Sequence, residues 1–192
     1  VVYSGHRNID SKGSVIGRHN PSSKKGNIFG HLLSQFDVPT ASLIMDLQRY
    51  KESGQTYDKA IVVSAEYNHY LQLAATYEFK CIDGELTDYR IHSGGLTSER
   101  AADLYNDRII TLDNIVKQHP QILENYPQQF KEAYARADYY MMRNFISNGE
   151  MHLARRILRP HIFSSIKYLA VFTTLFMPSL LRRYIFKFKY SR

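Results

Sequence analysis

The sequence predicts an α/β fold in which a sheet-bearing region is followed by a helical appendage. Strand-type segments alternate with short helical patterns up to about residue 98, and longer helical periodicities then run to residue 158. With 44% apolar and 22% charged residues in 192, the chain has the composition of an ordinary globular domain.

The opening residues Val1 to Ser4 are β-branched and aromatic and read as a strand. "RNIDSKGSVIG" then reads as a hairpin with its turn at Asp10 to Gly13. Arg18 to Asn27 is a polar surface loop carrying Pro and Gly. Ile28, Phe29, Leu32, Leu33 and Phe36 follow at helical spacing. After Pro39 the chain reads as a strand and then as a short helix ended by Gly54. A loop around Tyr57 and Asp58 precedes a helix from about Ala65 to Thr76, whose core face holds Tyr67, Tyr70, Leu71 and Leu73 to Ala75. "FKCIDGELTDYRIHS" reads as two strands about Asp83-Gly84, with Ile82, Leu86, Tyr89 and Ile91 turned inward.

Ser98 and Glu99 make a helix start, a polar cap followed by an acid in the first turn. That helix carries Leu104, Ile109, Leu112, Ile115 and Val116 and stops before Pro120. A second begins near Pro127 and ends at Asn148-Gly149, and a third runs from about Glu150 to Leu158. Three regions result: 1–98, 99–160 and a tail at 161–192.

The net charge of +7 is concentrated in that last part. Nine Lys and Arg residues and no acid follow Glu150, which leaves the rest of the chain at −2. A nucleic-acid-binding surface spread over the whole domain is therefore not expected. Tyr168 to Leu181 is free of charge, but 14 residues make a helix of only roughly 21 Å against a ~30 Å hydrocarbon core. Flanked by Lys167 and Arg182-Arg183, the segment reads as lying on an anionic membrane surface, with Phe172, Phe176, Tyr184, Phe186 and Phe188 entering the interface. Packing on the domain is the alternative.

The single cysteine, Cys81, rules out an internal disulfide and fits a reducing compartment. The first residues do not form a signal peptide, and the absence of an initiator Met suggests a piece of a longer protein. No Gly-rich phosphate loop, zinc-spaced Cys/His set or nucleophile elbow occurs.

Three segments in order carry a resemblance. Gly54-Gln55-Thr56-Tyr57-Asp58-Lys59 is similar to a "G-G-F-D-E" loop. Ala65 to Leu73, "AEYNHYLQL", is similar to an "E-D-Y-D-L-W-L-R-L" helix start. Tyr89 to Ser98, "YRIHSGGLTS", is similar to "Y-R-x-H-x-G-S-x-S". In this order and spacing, residues 1–98 resemble the distal, acceptor-side half of the GT-A (Rossmann-like) sheet domain of inverting family-two glycosyltransferases.

The resemblance implies transfer of a sugar from a nucleotide-sugar donor to a glycan or lipid-linked acceptor. It places the work at the cytoplasmic face of a membrane, in building a surface polysaccharide. Glu66 takes the position of the catalytic base, where the family has Asp, at a helix N-terminus that favours negative charge. Asn68, Arg90, Ser93 and Gly94 fall at substrate-binding positions, and His92 at that of a ligand for divalent Mn or Mg. Glu66 and His92 should then share one open face within about 10–15 Å. Because the nucleotide-binding half is not in this sequence, the chain alone is expected to be inactive. The competing expectation is a non-catalytic helical module that docks on a membrane or protein partner.

Overall fold

A computed structural model describes residues 1–21, 25–91 and 100–178. It is mixed α/β, and it divides into two compact units, Val1–Tyr134 and Ala135–Arg192.

The first unit is built on a four-stranded sheet in the order β2-β1-β4-β3. Strands β1 (Val2–Ile9) and β2 (Val15–His19) form the expected hairpin, and the Asp10 carboxylate closes its turn by accepting from the N–H groups of Lys12 and Ser14. β3 (Lys25–Gly26) pairs antiparallel with β4 (Phe79–Arg90), while β1 and β4 run parallel at the centre.

β4 corrects the expectation of two strands. It is one strand of 12 residues, because β1 pairs with it on both sides of Asp83-Gly84 and three extra residues are absorbed as a bulge at two successive register shifts, on either side of Gly5. Gly84 sits there at φ +103°, a conformation that suits Gly. Opposite the bulge, a Cβ on Gly5 would come within 2.7 Å of the His19 carbonyl oxygen, so only Gly fits the close approach. Around the bulge the residues expected inside are exposed: Leu86 by 65% and Tyr89 by 54%, with Ile82 and Ile91 also open. No helix covers that stretch among the described residues, so alternation along the strand does not sort its side chains into core and surface.

The strand expected after Pro39 is also corrected. Thr40–Ser42 is a 3-10 turn, and Ile44 makes only an isolated bridge to Val2. Ser42 Oγ accepts from the Ser4 N–H and donates to the Ser4 carbonyl, taking the place of a ladder partner beside β1 where β2 has already ended. Helix α2 (Leu47–Glu52) then starts on the Asp46 cap, whose carboxylate accepts from the Arg49 N–H, and ends before Gly54 at φ +64°.

Helices α1 (Phe29–Ser34), α3 (Ala65–Ala74), α4 (Ala101–Gln118), α5 (Ile122–Asn125) and the first turns of α6 (Pro127–Ser147) complete this unit. Tyr3 and Phe79 from the sheet join Phe29, Leu32, Leu33, Leu71, Leu112, Ile115 and Phe130 in one core. The division at Tyr134 means that α4 belongs with the sheet. Tyr134 donates to the Asp113 carboxylate, and burial, more than that bond, pushes its phenol up to about 12.

The second unit contains the rest of α6, α7 (Met151–Leu158) and α8 (Ile166–Thr174). Gly149 at φ +80° stops α6, and the Glu150 N–H returns to the Phe145 carbonyl to close its end. Met142, Ala154, Leu158, Val171 and Leu175 form this unit's own core. Among the described residues, no helix is long and apolar enough to cross a membrane.

Candidate functional site

Helix α3 is the centre of the candidate site. From Tyr67 to Ala74 every residue is buried, including the polar Asn68, His69 and Gln72. Only its first turn, with Glu66, opens outward.

The helix is anchored by Asp107 of α4. This carboxylate is 1% exposed and accepts four hydrogen bonds, from the backbone N–H groups of Val62, Val63 and Ser64 and from the Ser64 hydroxyl. The donors lie at and just before the N-terminus of α3, so a negative charge sits where the helix dipole favours it. The neighbouring Arg108 guanidinium lies 4.1 Å from the Tyr67 ring centroid, a second tie between the two helices. Asp107, Arg108 and Thr111 occupy core-facing positions of α4 between Leu104 and Ile115. Polar residues at those spacings are the sequence signal that periodicity alone passed over.

Around Glu66 lies a group of rings. The Glu66 charge acts on the phenols of Tyr57 and Tyr70, and both are pushed up from the ordinary 10, chiefly by burial. Tyr57 stacks on His69 with ring centroids 4.6 Å apart, and Tyr50 meets the same imidazole edge-on at 5.3 Å.

Burial pushes His69 down from its ordinary 6.5. The unfolded chain therefore binds that proton more tightly than the folded one. The stability this gives is complete above about pH 6.5 and is lost as pH falls toward the lower folded value. Thermal melts from neutral to mildly acidic pH should show Tm falling in the wild type and falling less in His69→Phe. His6, lowered by its own burial and by His19, shifts the same way and keeps part of the slope. Equal slopes in the two proteins would show that His69 does not carry the effect.

Beside Tyr57 the loop Gly54 to Lys59 opens a polar cleft of ≈ 530 Å³, lined also by Asn68 and Gln72 of α3 and by Asn114 and Gln118 of α4. Asn68 Oδ1 and Gln72 Oε1 are buried at its wall and have no hydrogen-bond partner among the described residues. Asn114 donates to the Asp58 carboxylate, which shapes the loop by also accepting from the Ala60 N–H. Amides and a carboxylate without a positive cluster suit a neutral, hydroxyl-bearing ligand better than an anion.

The other sequence-predicted residues divide in two groups. Arg90 ends β4, and its guanidinium donates to the backbone carbonyls of Asp10 and Ser11, gripping the hairpin turn at 2.7 and 3.2 Å. Tyr89 and Ile91 are exposed beside it, which corrects the picture of an apolar pair facing the core while Arg90 faces out. His92, Ser93 and Gly94 lie outside the described residues, as does the expected pairing of Glu66 with His92 across one face. Among the described residues no three His, Cys, Asp or Glu side chains converge to hold a metal ion.

No protein family model, curated protein or solved structure matches this chain.

Proposed function

We propose that this chain is the acceptor-side half of an inverting glycosyltransferase that moves a sugar from a nucleotide-sugar donor to a glycan or lipid-linked acceptor. The observation that carries the reading is the setting of Glu66. Its carboxylate stands on the first turn of a helix fixed by Asp107, beside Tyr57, which lines the polar cleft.

In this reading the Glu66 carboxylate takes the proton of an acceptor hydroxyl. The hydroxyl oxygen attacks the anomeric carbon from the side opposite the leaving group, and that carbon's bond to the nucleoside diphosphate breaks. Rigid placement matters more than intrinsic basicity here, because a misplacement of ~1 Å can cost on the order of a hundredfold in rate. Asn68 and Gln72 offer amide groups to acceptor hydroxyls in the cleft, which gives their unpartnered oxygens a role. The divalent cation and the diphosphate contacts belong with His92, Ser93 and Gly94 and with the donor-binding half. Proton transfer to Glu66 uses none of them.

The test is transfer by the full-length protein carrying this chain. Incubated with nucleotide sugars and glycan or lipid-linked acceptors, it should release nucleoside diphosphate with at least one pair. Asn68→Leu should raise the acceptor KM about tenfold with little change in kcat, the loss of a hydrogen bond made equally in the ground and transition states. Absence of release with every donor would remove the enzyme reading and leave the helical docking module.

A further inference from the structure

Helix α8 is apolar on both of its faces. Tyr168, Val171, Phe172 and Leu175 recur at helical spacing and pack into the core of the second unit. Phe172, expected at a membrane interface, is half-buried against this core. The opposite face presents Ile166, Leu169, Ala170 and Thr173. Ile166 is 86% exposed, and Phe163 just before the helix and Phe176 just after it are 91% and 62% exposed. A helix hydrophobic all round is ordinarily covered on every side, so one bare apolar face calls for an occupant.

The charges around it identify that occupant. Residues 151–178 contain Arg155, Arg156, Arg159 and Lys167 and no Asp or Glu. Arg155 lies 4.7 Å over the Phe176 ring and Lys167 lies 4.7 Å over the Tyr139 ring, so two cations are held by aromatic rings of this unit. Arg156 and Arg159 are exposed. The following sequence, 179–192, adds five more cations, again without an acid. Asp138 of the same unit is paired with His161 at 2.7 Å, and the remaining basic setting repels a second copy of the same face and attracts an anionic one. At 9 residues α8 is far too short to span a bilayer, which leaves an orientation along its surface.

We infer that the outer face of α8, with Phe163, Ile166 and Phe176 as its inserted side chains, seats the second unit on an anionic lipid surface. The inference does not depend on the glycosyltransferase reading, because it rests on residues that take no part in the candidate site.

The chain contains no Trp, so Ile166→Trp in the full chain supplies a single reporter at an already exposed position. With phosphatidylcholine vesicles containing phosphatidylglycerol, its emission should shift to the blue and be quenched by brominated acyl chains. Both effects should weaken at high salt. Adding Phe163→Asp should weaken vesicle binding at least about tenfold, while circular dichroism shows the fold retained. Equal binding to pure phosphatidylcholine would overturn the anionic surface. A blue shift that needs only higher protein concentration would assign the face to a second copy, and no shift with either vesicle would overturn the inference outright.

Discussion

If the proposed transfer reaction is right, Glu66→Gln in the full-length protein should lower turnover by roughly 10²–10⁴ and leave donor binding and the fold in place. Gln keeps the length of the side chain and its place on the first turn of α3 but cannot accept a proton. The loss corresponds to about 2.7–5.5 kcal/mol of transition-state stabilisation. A variant with the wild-type rate would show that Glu66 is an ordinary first-turn acid.

Asp107→Ala should cause the largest loss of stability. It removes a buried carboxylate that accepts from Val62, Val63 and Ser64 backbone N–H groups and the Ser64 hydroxyl. Losing four hydrogen bonds to one buried charge should cost about 3 kcal/mol. In a chain of this size that lowers Tm by about 6–12 °C. Turnover should fall as well, since the same bonds set where α3 begins and therefore where Glu66 stands. Scanning calorimetry measures the first effect, and an unchanged Tm would mean that Asp107 does not anchor α3.

What was legible in the sequence followed from local rules. Asp10 to Gly13 marked the hairpin, Gly54 and Gly149 marked helix ends, and Pro127 marked a helix start, because each acts within a few residues of itself. The Leu71 and Leu112 faces showed through their spacing. The features that escaped depend on distant partners. Asp83-Gly84 looked like a turn and became a bulge because β1, some 80 residues earlier, pairs with both flanks. Tyr89 and Ile91 alternate as core residues do, yet both stay exposed, Tyr89 beside the His6 ring.

The candidate site divides in the same way. Glu66 and Asn68 stand out in a motif; Asn68 lines the cleft, and Glu66 stands on the first turn of α3 without lining it. Asp107 and the stacked Tyr57–His69 pair do not stand out, since their importance arises only when α4 and the 54–59 loop come to lie against α3. Arg90 was singled out for a ligand, and its guanidinium holds a turn.

The stereochemistry of transfer tests the central claim most directly. Proton NMR on the product formed by the full-length protein, with an acceptor that supports transfer, reads the configuration of the new anomeric centre, which the glycosidic bond holds fixed. A carboxylate base acting in one displacement predicts inversion, so an α-linked nucleotide sugar gives a β-linked product. Retention of the donor's configuration would contradict Glu66 as the base of a single inverting step.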